Sequence, residues 1–156
     1  MKNHTRTLKL AALAVVAFHF VVLVLHSIAH QTLPVNATPA QLAFIVPVII
    51  VAPVVAGSML LKFEKAGMIL LTASMIGSFI FGVYYHFIAD TIDHVAHVAH
   101  LQPVFWSQIF QATAYLLAIS EIFGAAITLV CLGAGLLHSD RSATSGSTRV
   151  ARRAGM

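Results

Sequence analysis

Between His86 and His100 the chain reads HFIADTIDHVAHVAH, which sets four histidines and two aspartates within fifteen residues at the end of a long apolar run. A helix turns about 100° per residue, so on helical spacing His86, Asp90, Asp93, His97 and His100 fall within about 40° of one line. A second pair, His26 and His30 in HSIAH, is spaced i,i+4 and shares a helical face with His19. Imidazole binds zinc, copper and iron, and a carboxylate adds a hard ligand and neutralising charge. Histidine is also the usual axial ligand of haem. Residues of these types on shared faces predict a metal or haem site.

The elements that must position them follow from composition. The 156 residues are 59% hydrophobic and 9% charged, with a mean hydropathy of +0.91. An ordinary soluble domain is about 25% charged. The expected fold is therefore all-α: a polytopic membrane protein forming a single bundle of four transmembrane helices over 1–137. The spans are expected at about 10–29, 42–61, 66–88 and 109–137, each near the roughly 20 apolar residues that cross a bilayer. The competing reading of the first run is a secretory signal, with Ser27 and Ala29 as its small-x-small site. That run is longer than the usual signal core of about 7–15 residues and carries histidines at helical spacing. Span two holds no ionisable group and reads as scaffold, with Pro47 and Pro53 expected to kink it. Residues 138–156 are rich in Ser, Thr, Gly and Arg and read as a disordered basic cytoplasmic tail. Cys131 lies in an apolar run and reads as a small buried side chain; alone, it excludes an intrachain disulfide.

All nine Lys and Arg residues flank the spans on one side of this arrangement. Lys2, Arg6 and Lys9 precede span one, Lys62 and Lys65 separate spans two and three, and Arg141, Arg149, Arg152 and Arg153 follow span four. The positive-inside rule then predicts cytoplasmic termini and an external 94–100 segment, in a plasma membrane of the bacterial inner-membrane kind. The same placement explains the net charge of +4 without nucleic acid.

Depth along the spans brings the chemistry together. His26, His86 and Glu121 are expected within about 3–6 Å of one depth on three different spans, at about 1.5 Å per residue. Ionisable groups inside a bilayer usually face the bundle interior or a cavity. The expected site therefore has His26, His86 and Glu121 as its inner set, His30 and Asp90 completing it, and His94, His97 and His100 at its entrance. A transition metal (Cu, Fe or Zn) or a haem b bracketed by His26 and His86 is the expected cofactor. The plainer reading is hydrogen-bonded or headgroup-level histidines. For His19, which lacks a partner at its own depth, a hydrogen-bonded core residue is expected, and Asp93 reads as an exposed acid near the loop.

The functional reading is a small membrane protein binding a metal or haem for redox work or metal handling. The alternatives are an accessory subunit of a larger membrane complex and a proton- or metal-conducting transporter, for which a second copy would complete the path. Whether it is an enzyme stays open: no phosphate loop, nucleophile elbow or HExxH motif is present.

Overall fold

The computed structural model describes the backbone of residues 2–154 and the side chains of residues 6–133. The chain is 84% helical, with no strand among the described residues. Its elements are α1 (Lys2–Thr32), α2 (Pro39–Phe44), a π-helical segment (Ile45–Val51), α3 (Ala52–Met59), α4 (Glu64–Val83), a π-helical turn (Tyr84–Ile88), α5 (Val95–Val98) and α6 (Val104–Ala154). Four helical stretches are long and apolar enough to cross a membrane: Arg6–Thr32, Pro39–Met59, Glu64–Ile88 and Val104–Gly133. The expected disordered tail over 138–156 falls where side chains lie outside the described residues.

Local chemistry sets the ends of these helices. Thr38, Pro39 and Gln41 form a capping box: the Gln41 N–H donates to Thr38 Oγ1 at 3.2 Å, and the Thr38 N–H donates to Gln41 Oε1 at 2.7 Å. Pro39 at the first helical position lacks only an N–H that would have had no partner. Span two therefore begins at Pro39 rather than near Leu42. Within it, Pro53 offers no N–H to the Ile49 carbonyl, and the preceding turn closes by a wider bond from the Ala52 N–H to the Pro47 oxygen. The prolines thus produce a π-helical segment. Glu64 sits in the first turn of α4, where negative charge suits the helix dipole, 3.9 Å from Lys9 Nζ.

Helix α6 packs along both α1 and α4, and α3 packs on α4. Between helices in lipid the drive is close packing through small residues. A Cβ on Gly67 would lie 2.8 Å from the Leu60 backbone nitrogen, so only glycine fits where α3 and α4 touch. The core has three layers. Ala12, Ala56, Leu60, Met68, Leu71 and Met75 fill the end nearest the N-terminus. Val22, Leu23, Ile49 and Leu117 pack the middle. Ala29, Leu33, Val35, Val98 and Phe110 pack the opposite end, beneath the loops 33–38 and 89–103. Large apolar side chains such as Val21, Ile80 and Phe123 are exposed on the outside of the bundle.

The one-face line of histidines and aspartates beyond His86 does not form. The helix ends at Ile88, and Ala89 is extended at φ −74° and ψ 137°. Side chains of the next residues bond backbone groups locally, which competes with helix continuation. Thr91 Oγ1 bonds the Tyr85 carbonyl at 3.1 Å, and His94 Nδ1 accepts from the Ala96 N–H at 3.2 Å, capping α5.

Candidate metal centre

Two elements supply the centre. The i,i+4 spacing on α1 puts His26 and His30 one above the other, with ring centroids 4.7 Å apart. The π-helical turn at the end of α4 brings His86 to them, its centroid 5.0 Å from His26 and 5.9 Å from His30. One nitrogen from each ring lies within 4.8 Å of the other two. His26 and His86 are 5% and 8% exposed. Phe110, on α6, packs against all three rings at 4.6 Å, 4.8 Å and 5.3 Å and forms a common wall.

The hydrogen bonds assign the protons. His30 Nδ1 lies 2.8 Å from the Val35 carbonyl, and His86 Nδ1 lies 3.0 Å from the Asp93 carbonyl. A carbonyl only accepts, so both rings carry their proton on Nδ1. His26 Nδ1 lies 2.8 Å from Thr113 Oγ1, whose own hydrogen is directed to the Ile109 carbonyl at 2.6 Å. In the tautomer that can ligate, the hydroxyl accepts from His26 Nδ1. A neutral imidazole protonated on Nδ1 has a bare Nε2 lone pair. Three such nitrogens are thereby left for one another, and His26 Nε2 lies 3.3 Å from His86 Nε2. Either a proton on His26 Nε2 donated to His86 or a cation shared by the two nitrogens satisfies this contact.

That distance also fits a metal. With metal–nitrogen bonds of about 2.0–2.1 Å, the nitrogen–nitrogen edge of a tetrahedron is about 3.3–3.4 Å. Each ring donates its other N–H to a fixed acceptor, the arrangement that orients metal-binding histidines. Asp93 adds charge: its carboxylate lies 3.9 Å from His86 Nδ1, and the Thr91 hydroxyl donates to it. The residue is 7% exposed, which corrects its reading as an exposed acid.

The other expected residues lie apart from the triad. Asp90 has a 93% exposed side chain, 3.3 Å from His97 Nε2. His97 Nδ1 donates to the Thr91 carbonyl at 2.8 Å, His94 caps α5, and His100 is exposed. Glu121 lies on α6 eight residues beyond Thr113, the residue level with His26, which is about 12 Å along the helix. Glu121 faces the same cavity as the triad but does not belong to it. His19, deeper in α1, bonds Ser120 Oγ through Nδ1 at 3.2 Å, while its buried Nε2 has no hydrogen-bond partner among the described residues.

Thr113, Phe110 and the Val35 carbonyl escaped the sequence reading. A signal existed for Thr113: it shares one face of α6 with Leu117, Ser120, Gly124 and Thr128, at spacings of three and four residues. No signal pointed to the carbonyls, because any residue carries one.

A cavity of about 380 Å³ opens beside the triad. Gln31, Asn36 and Gln41 lie at its loop end, and it passes His26, His30 and His86 to reach Ser78 and Glu121. Span two contributes a wall of Leu42, Ile45, Ile49 and Ile50, which extends its expected role as scaffold.

No protein-family model matches the chain, and comparisons with curated proteins and with solved structures find none similar to it.

Proposed function

We propose that this is an integral membrane metalloprotein whose His26, His30 and His86 hold one transition metal ion, with zinc, copper and iron as the candidates. The observation that carries the reading is the 3.3 Å separation of the His26 and His86 Nε2 atoms inside a triad whose Nδ1 atoms each have another hydrogen-bond partner. Three imidazoles leave a coordination position open toward the cavity, the pattern of sites that bind a substrate or water rather than closed structural sites. Asp93 offsets part of the cost of holding a cation away from water.

An ion fits better than a haem. Two histidines bracketing an iron need about 4 Å between their ligating nitrogens, twice a metal–nitrogen bond, and the macrocycle must lie between them. The 3.3 Å contact and the 77° angle between the His26 and His86 rings leave no such slot. A resident ion also fits better than a conducted one. The bundle is closed at the end nearest the N-terminus by Ala12, Ala56, Leu60, Leu71 and Met75, all 0% exposed. With the termini cytoplasmic, the triad takes its ion from the extracytoplasmic side. Redox work or metal handling at that face is the role this supports.

The test is metal analysis and chelator-competed titration of detergent-purified protein with Zn²⁺, Cu⁺ and Fe²⁺. One ion per chain is expected, lost in His26→Ala and His86→Ala while both variants keep their helical content. Equal binding by wild type and both variants, or no binding at all, refutes the metal centre. The accessory-subunit reading with hydrogen-bonded histidines would then stand.

A further inference from the structure

The deep end of the cavity carries two polar groups that the triad does not use. Ser78 Oγ is 0% exposed and has no hydrogen-bond partner. Glu121 is 3% exposed and makes no hydrogen bond or ion pair among the described residues. Both line the cavity, and the Cβ position of Gly82, one turn beyond Ser78, lies 4.0 Å from Glu121 Oε2. Buried polar groups normally have partners, because an unmade hydrogen bond away from water costs about 1–3 kcal/mol. Both residues belong to the lining of the same space.

The shape of that space narrows what fills it. Along α4 and the π-helical turn that ends it the lining runs from Ser78 to His86, and along α1 from Leu23 to Gln31, eight residues in each case or about 12 Å. A volume of about 380 Å³ over that length leaves a mean cross-section of about 30 Å². Apart from the triad, the walls between the mouth and the floor are mainly apolar, with Leu23, Ile49, Phe81, Leu117 and Ala118. Apolar walls with a few placed polar groups are the usual make-up of a small-molecule site, and the volume falls in the range of about 300–1,000 Å³ that such sites occupy.

We propose that this cavity is a binding slot for one slender lipophilic molecule with a hydroxyl or carbonyl oxygen at its leading end. The oxygen sits against Ser78 and Glu121, and the apolar body lies along span two and past the open side of the triad. The proposal names the substrate class that the metal reading leaves open. It rests on the cavity rather than on the ion, so it is testable without metal.

The test is photolabelling of the full chain in lipid nanodiscs with an octanol carrying a diazirine on its alkyl chain, with adducts mapped by mass spectrometry. Expected adducts fall on Ile49, Phe81 and Leu117, are competed by excess 1-octanol, and persist after chelator treatment. Ser78→Ala and Glu121→Leu should each lower this labelling about five- to tenfold, the worth of a buried hydrogen bond. The matching diazirine-bearing octane, which lacks the oxygen, should label the slot about as weakly as those variants do. This comparison uses wild-type protein and stands even if Glu121→Leu does not fold. Labelling confined to exposed residues such as Ile80 and Ile122, or not competed by octanol, overturns the slot. Equal labelling by the octane overturns the assignment of Ser78 and Glu121. Loss of labelling on chelation alone would show the ion to be the anchor and overturn the polar floor.

Discussion

Replacing Thr113 by valine tests the triad through a residue that never touches the ion. The substitution keeps shape and volume while removing the oxygen that accepts from His26 Nδ1 at 2.8 Å. A donor left unpaired at this depth costs about 1–3 kcal/mol. The ring escapes that cost by moving its proton to Nε2, which lies 3.3 Å from the bare Nε2 of His86 and can donate to it. The variant therefore folds, and its apo form loses little. Its metal site is the part that suffers, because His26 must surrender the new hydrogen bond and return to the less favoured tautomer before it can ligate. Outer-shell partners of this kind are worth about 10- to 100-fold in metal affinity, or about 1.4–2.8 kcal/mol. Zn²⁺ titration against a competing chelator reads the difference directly. Thr128→Val is the matched control: the same change on the same helix, removing a buried hydroxyl that bonds Thr72 at 2.6 Å far from the triad. Affinity unchanged in Thr113→Val, or lowered equally in Thr128→Val, refutes the tautomer argument.

Other outcomes follow from the same geometry. His100→Ala and Asp90→Ala should leave metal stoichiometry at the wild-type value, because both residues are exposed and outside the triad; loss of the ion in either variant would relocate the site to the loop. A protonated imidazole cannot ligate, so metal occupancy should fall on acidification, more steeply than a single-proton titration. Occupancy unchanged down to the lowest pH at which the protein stays folded would argue against histidine ligands. Gly67→Ala should destabilise the bundle by about 1–3 kcal/mol, read as a lower unfolding midpoint in detergent, because its Cβ meets backbone that cannot give way. Reporter fusions after Lys65 and at the C-terminus should read cytoplasmic, and fusions near Gln31 and His100 external; an external C-terminus would invert the sidedness assigned to the triad.

The four helices were legible because length and hydropathy decide a membrane span with little help from tertiary context, and Pro39 and Glu64 shifted only the ends. The meeting of His26 and His86 was legible from matched depth on two spans, and His30 followed from its i,i+4 spacing. Depth alone did not separate Glu121 from the triad: it lines the same cavity but stands eight residues beyond Thr113 on α6. The break at Ala89 was hidden because no proline or glycine marks it. It arises from Thr91 and His94 bonding nearby backbone and from Thr91 donating to the Asp93 carboxylate, an effect of geometry rather than composition. The same break turns Asp93 inward beneath His86, so the residue read as solvated became the one that orients a ligand.

Two of the three acceptors that hold the triad in its binding tautomer are main-chain carbonyls, those of Val35 and Asp93. No side-chain replacement deletes a carbonyl. A substitution scan will therefore register Thr113 and pass over Val35, although each fixes one ring. The loops 33–38 and 89–103 can drift in composition and still present an oxygen at the right place, provided their length is kept. Inserting or deleting one residue there would misplace an acceptor that every point variant preserves. Vulnerability to changes of length, more than of residue identity, is the signature such a centre leaves in its own variation.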